Sequence, residues 1–158
     1  MTAWKAVWGY EGLYEVSDTG VVRSLPRPST SGGILATASR GGRYLQISLC
    51  RNGVCSTKDI HIVVLEAFVG LCPPGMQCRH LDDNKTNNYL SNLVWGTQTE
   101  NAYDSVRNRT HVQSRKTHCA QGHEYTTENT YKHGSRRDCR TCRKERDRRR
   151  YYQAKQRN

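Results

Sequence analysis

Two stretches of the 158-residue chain hold the side chains with capacity for chemistry. In the first, His80 precedes a polar run, Asp82-Asp83-Asn84-Lys85-Thr86-Asn87-Asn88, that leads on to Asn92 and then Asn101. An imidazole can accept a proton near neutral pH. A lone His at a strand end is more often a surface or core residue, and Asn-rich loops usually bond their own backbone, so His80 by itself does not specify a base. His61, at the start of an apolar run, reads as structural or as a backbone contact by the same reasoning. In the second stretch, Cys119-Ala-Gln-Gly-His123 is followed by Cys139-Arg-Thr-Cys142. The Cys-x-x-Cys pair has the knuckle spacing of a structural zinc site, and Cys119 with His123 completes four N/S ligands for one Zn²⁺. His118 or His133 could replace His123, and four uncoordinated side chains in a disordered tail are the bland alternative. Tyr125 and Tyr131 are nearly the only large apolar side chains nearby, so metal is the expected source of folding energy there. Cys50, Cys55, Cys72 and Cys78 are irregularly spaced and read as small buried residues.

The elements that must position these groups follow from local patterning. A short strand is expected to end at His80, a polar loop follows, and Leu93-Val94-Trp95 forms a second strand with Trp95 in the core. Thr97 and Glu100 have the spacing of a capping box, so a helix starts there and Asn101 falls in its first turns. Strand, loop, strand and helix would set His80 and Asn101 across a small cleft. Upstream, Tyr14–Ser17 and Val21–Leu25 read as a hairpin through Asp18-Thr19-Gly20, with Trp4, Trp8, Tyr10 and Leu13 on its apolar face. Residues 26–42 are rich in Pro, Ser, Thr and Gly and read as a linker. Tyr44–Leu49 and Val54–Lys58 form a second hairpin, since the intervening Asn52-Gly53 favours positive φ at both positions. Apolar residues at Ile60, Val63, Val64, Ala67 and Phe68 predict a core helix over 60–69.

The run from His80 to Asn101 resembles the HNH endonucleases of phages and mobile introns, whose pattern is a His, an Asp/Asn-rich loop, Asn-Leu-x-Trp and an Asn on the next helix. Here these are His80, residues 82–88, Asn92-Leu93-Val94-Trp95 and Asn101. The segment containing Trp4, residues 9–17 and residues 20–25 is similar to a module (NUMOD-like) that often precedes such nuclease domains. The resemblance implies an α+β protein with a ββα-metal, or His-Me finger, core. It implies a DNA endonuclease in which His80 is the general base and Asn92 holds the imidazole or the loop. One divalent cation, Mg²⁺ or Mn²⁺, would be bound by Asn101 through its side-chain carbonyl, and the products would carry a 5′ phosphate and a 3′ hydroxyl. Many relatives place a metal ligand immediately before the His, where this chain has Arg79, which cannot ligate a cation. Arg79 would instead contact the scissile phosphate, with Asp82, Asp83 or water completing the metal shell.

Composition bounds the remaining possibilities. The net charge is +11, with 9 Lys and Arg against 8 Asp and Glu in residues 1–101, and 16 against 6 in residues 102–158. The excess lies in the last third, as a polyanion-binding tail on a near-neutral body requires. Arg143, Lys144, Arg146, Arg148, Arg149 and Arg150 would lie on one basic helix contacting phosphates of double-stranded DNA with little sequence information. Mean hydropathy is −0.86, and neither a membrane span nor a signal peptide is legible, so a cytoplasmic, unsecreted protein is expected. With an odd cysteine count, no disulfide framework is expected. The expected organisation is 1–25 as N-terminal module, 26–42 as linker, 43–111 as HNH domain and 112–158 as basic zinc module. The chain would act as monomer or homodimer. Rival readings are a DNA-binding protein without catalysis and an RNA-binding or packaging-associated factor.

Overall fold

The computed structural model describes residues 1–158 except Gly42, Ser135, Arg157 and Asn158, and leaves the Arg40 side chain undescribed. The last position of the expected linker, one residue of the expected zinc module and the end of the basic tail therefore lie outside the described residues. The chain divides into two compact units, Met1–His111 and Val112–Asn158.

In the first unit, β1 (Trp4–Ala6), β2 (Tyr14–Ser17), β3 (Val22–Ser24) and β4 (Gly33–Ile34) form an antiparallel sheet in that order. A second antiparallel sheet contains β5 (Ala38–Arg40), β6 (Tyr44–Arg51) and β7 (Val54–Asp59). The stretch expected as a linker thus contributes β4 and β5, because its backbone finds open strand edges on β3 and β6. Asn52 and Gly53 turn β6 into β7 with φ of 51° and 77°, the conformation expected of that dipeptide.

Helix α1 (Ile60–Phe68) follows directly. Ile60, Val63, Val64 and Leu65 are fully buried against Val7, Val16, Val22, Ile47 and Leu49. Burial of side chains of this size contributes ~1.5–3 kcal/mol each, so α1 is the hub around which both sheets pack. Trp8 does not join this core: it is 52% exposed, and its neighbour Val7, just after β1, is the buried residue there. Trp4 lies beneath Arg23, whose guanidinium carbon is 4.1 Å from the ring centre.

The chain then forms β8 (Gln77–His80) and β9 (Leu93–Gly96), paired antiparallel with His80 opposite Leu93, and α2 (Gln98–Arg107). The capping box forms as patterned, with Thr97 accepting from the Glu100 amide and Glu100 from the Thr97 amide. Trp95 is packed against the core and donates its indole N–H to the Gly70 carbonyl at 2.9 Å.

Cys50 and Cys55 depart from the expectation. They face each other across the β6–β7 hairpin and are joined by a disulfide. The hairpin register brings them together, and neither is a buried residue. Cys72 is exposed and Cys78 packs half-buried on the core.

The second unit contains α3 (Val112–Arg115), a hairpin of β10 (Thr130–His133) and β11 (Arg136–Cys139), and α4 (Arg140–Lys155). No helix among the described residues is long and apolar enough to cross a membrane.

Candidate active site and metal centre

Strand alternation separates the side chains of β8. His80, 6% exposed, turns inward, where its ring meets His61 on α1 with centres 5.1 Å apart and Tyr44 on β6 at 6.0 Å. Tyr44 and His61 are themselves 4.8 Å apart, and the Lys85 ammonium lies 5.1 Å from the Tyr44 ring centre. His80 Nε2 is the inward nitrogen, buried without a hydrogen-bond partner, as are His61 Nδ1 and Asn88 Oδ1. Burial pushes the His80 pKa below its ordinary value, assisted by Lys85 and opposed by Asn88, Asp82 and Asp83. Burial, followed by the facing His80, pushes His61 down to about 4. Both imidazoles are therefore neutral at neutral pH, and a neutral imidazole can accept a proton.

The loop after His80 is fixed by carboxamides. Asn92, 8% exposed, accepts from the Asp82 amide at 3.1 Å and donates through Nδ2 to Asp82 Oδ1 and the Asn87 carbonyl, both at 2.9 Å. Asn92 thus positions the loop, not the imidazole. Asp82 also accepts from the Asn84 amide and from Asn87 Nδ2. Its carboxyl lies below its ordinary pKa: a desolvation effect that would raise it is outweighed by these bonds. Asp83, with φ of 60°, accepts from Ser105, Asn108 and Thr110 and so ties the loop to the end of α2.

The N-terminal hairpin buttresses the same loop. Leu90 donates its amide to the Asp18 carbonyl at 2.8 Å, and a Cβ on Gly20 would fall 2.7 Å from the Asn88 Cβ. Only glycine, at φ of 83°, permits that approach.

Arg79 points the other way, onto α2. Its Nε and Nη2 donate to Asp104 Oδ2 at 2.9 and 2.6 Å, and Nη1 lies 3.2 Å from Glu100. Asp104 is 2% exposed and is also paired with Arg107. Gly96 makes room for this arrangement, since a Cβ there would lie 2.4 Å from Arg79 Nη1. The Arg79 guanidinium, expected to contact the scissile phosphate, is thus engaged by Asp104 and Glu100 of α2. Asn101 lies half-buried in α2, and its carboxamide makes no hydrogen bond among the described residues; none joins it to His80.

As donors for a hard cation, Asn101 offers a carboxamide oxygen without a hydrogen bond among the described residues, and Asp82 an exposed, ionised carboxylate whose two oxygens already accept three hydrogen bonds. Asp83 has both oxygens committed to α2 and its flank. The oxygen chemistry fits a divalent cation that retains water and substrate ligands.

Against this geometry, residues 58–103 match the HNH endonuclease family model. Over these residues the chain is similar to an HNH endonuclease domain. Residues 3–60 match the NUMOD4 motif, which runs well past residue 25 and takes in the β6–β7 hairpin. The DNA endonuclease I-HmuI of Bacillus phage SP01 is 36% identical over 103 residues, 65% of this chain and 57% of that protein. An uncharacterized HNH endonuclease of Acanthamoeba polyphaga mimivirus is 33% identical over 108 residues, 68% of this chain and 31% of that one. A solved structure of I-HmuI, titled for DNA binding and cleavage by an HNH homing endonuclease, superimposes with a TM-score of 0.60 at 34% identity. It covers 69% of this chain and 60% of that chain. The chain spans less than two thirds of the length of these relatives.

The HNH domain contains groups that sequence reasoning missed. His61 and Tyr44 border the His80 ring, and Asn88 faces it. The signal for His61 was present: it is a polar residue aligned with Val64 and Leu65 on the buried face of α1. Among the arginines of the first 60 residues, Arg27 bonds Leu13, Ser24, Leu25 and Tyr14, Arg51 bonds Gly9, and Arg23 pairs with Glu15. These guanidiniums hold the fold. Arg43 is exposed.

In the second unit the ligand atoms of Cys119, His123, Cys139 and Cys142 all lie within 4.8 Å of one another. His118 instead bonds Thr117, and His133 lies in β10. Backbone amides of Gln121 and His123 donate to the Cys119 sulfur, and that of Cys142 donates to the Cys139 sulfur. His123 presents Nδ1 to the cluster, 3.2 Å from the Cys142 sulfur, and its Nε2 lies 4.0 Å from Glu145. A carboxylate behind a ligating imidazole fixes its tautomer. Burial, then the adjacent Cys119 and Cys139 sulfurs, push the Cys142 thiol up to about 12. A cation held among these sulfurs would offset the repulsion of their deprotonated forms. The cluster can hold one metal ion.

Proposed function

We propose that the chain is a metal-dependent DNA endonuclease of the phage homing or accessory type, cutting double-stranded DNA to leave a 5′ phosphate and a 3′ hydroxyl. The observation that carries this reading is the buried, neutral His80 at the end of β8, inside the segment that matches the HNH model. Its Nε2 is buried beside the His61 and Tyr44 rings, which supports assigning Nδ1 to the reacting water. That water's oxygen attacks phosphorus, its proton passes to His80, and the bond from phosphorus to the 3′ oxygen breaks. A divalent cation, Mg²⁺ or Mn²⁺, supplies charge stabilisation at the departing 3′ oxygen; Asn101, with Asp82, would hold it. Asn92 keeps the loop after His80 in register through Asp82 and Asn87. A structural Zn²⁺ held by Cys119, His123, Cys139 and Cys142 belongs to the same reading.

Incubating supercoiled plasmid with the protein and Mg²⁺ tests it. We expect nicks that a DNA ligase reseals without prior phosphorylation, and none when a chelator is present. Intact plasmid at every metal concentration favours the second reading, a DNA-binding protein without catalysis. The observation behind that alternative is Arg79, a cation locked onto α2 at the position where the resemblance to HNH endonucleases leads one to expect a metal ligand.

A further inference from the structure

The zinc-type unit contains a groove of about 640 Å³ between the β10–β11 hairpin and α4. Tyr131 and Arg136 line one wall, and Arg143, Arg146 and Arg150 the other. At a helical repeat of about 100° per residue, positions 143, 146 and 150 share one face of α4, while Lys144, Arg148 and Arg149 point elsewhere. The basic residues of α4 therefore divide by the face they occupy, and others in this unit are engaged with its backbone. Arg137 holds the backbone carbonyls of Gln113 and Lys116 and stacks on Tyr125, and Arg140 reaches the Thr130 carbonyl. Arg148 lies over the Tyr152 ring.

The groove arginines have no such employment. Among the described residues, the side chains of Arg136, Arg146 and Arg150 have neither an ion pair nor a hydrogen bond, and that of Arg143 only rests on the Tyr131 ring, 5.3 Å from its centre. Asp138 and Asp147 line the same groove, yet neither carboxylate comes within 4.0 Å of a guanidinium nitrogen. Four like charges converging on one groove repel each other, and a polyanion seated there relieves the repulsion. A guanidinium fork matches phosphate oxygens bidentately.

We infer that this groove is a dedicated seat for the phosphodiester backbone of duplex DNA, using Arg136, Arg143, Arg146 and Arg150, and that Lys144, Arg148 and Arg149 are not part of it. This rests on the reading of the unit as a DNA anchor and narrows it from a whole basic helix to one face.

Two full-length variants with equal charge removal test the inference: R143Q/R146Q/R150Q and K144Q/R148Q/R149Q. Binding of a short duplex is followed by fluorescence anisotropy from about 50 to 200 mM salt. Zinc content and circular dichroism establish that each variant is folded, and R136Q supplies an independent test from the other wall. We expect the groove variant to lose tenfold or more in affinity and its log–log salt slope to flatten by about 2–3. R136Q should flatten the slope by about 1, and the off-groove variant should lose less than threefold. Equal losses in both triple variants overturn the groove but leave the anchor standing. No loss in either overturns the anchor as well. Tighter binding to a single-stranded RNA of equal length, abolished by the groove variant, assigns the groove to RNA and overturns the DNA assignment.

Discussion

His61 shows how much of the site depends on burial. An unfolded His protonates near 6.5, whereas in the folded chain burial and the facing His80 hold His61 neutral down to about 4. Between these values the unfolded chain holds the extra proton. The folded state is thus at full advantage above pH 6.5 and loses it as pH falls toward 4. The loss is at most about 3 kcal/mol from this residue, and His80 adds to it with the same sign. Urea unfolding between pH 7 and 4.5 should show His61→Phe with a shallower decline than wild type. A decline of the same steepness would mean that His61 is charged, or exposed, in the folded chain. The sequence displayed the polar residue on an apolar helix face but could not show its partner, because Tyr44 and His80 reach it from other elements.

Between elements, the decisive contact is the one from β8 to α2. Arg79 could not be placed from its neighbours in sequence, since Asp104 lies 25 residues away and its acidic role becomes visible only once α2 packs on the β8–β9 hairpin. Removing one partner of a buried pair leaves the other uncompensated. Arg79→Met is expected to cost roughly 3 kcal/mol of stability by urea unfolding, moderated by the remaining Arg107 contact to Asp104. A cost within the ±0.5 kcal/mol of an ordinary surface substitution would show that the pair does not hold β8 to α2. The helix ends and hairpin turns were legible because their signals are local: Thr97 with Glu100, Asn52 with Gly53. The strands at residues 33–34 and 38–40 were not, because a Gly- and Ser-rich segment becomes a strand only where an open edge receives it.

At the scale of the molecule, the two units differ in what they bury. The first has an apolar core around α1, whereas among the described residues the second buries Cys139 alone of its hydrophobic side chains and gathers Cys119, His123, Cys139 and Cys142 into a cluster that can hold one metal ion, the expected source of its folding energy. The cluster was readable from the cysteine spacing. The disulfide between Cys50 and Cys55 was not, since it depends on strand register. Zinc removal by a strong chelator should therefore abolish amide protection in β10, β11 and the start of α4 while β6 and α1 keep theirs, as hydrogen exchange would show. Retained protection in the second unit would mean that it folds without metal.

The central claim is that His80 takes the proton from the attacking water. Single-turnover cleavage of a bound duplex, compared between wild type and His80→Ala at concentrations that saturate binding, tests it most directly. A loss of about 100-fold or more in rate with unchanged affinity is predicted. Equal rates in the two proteins would contradict it.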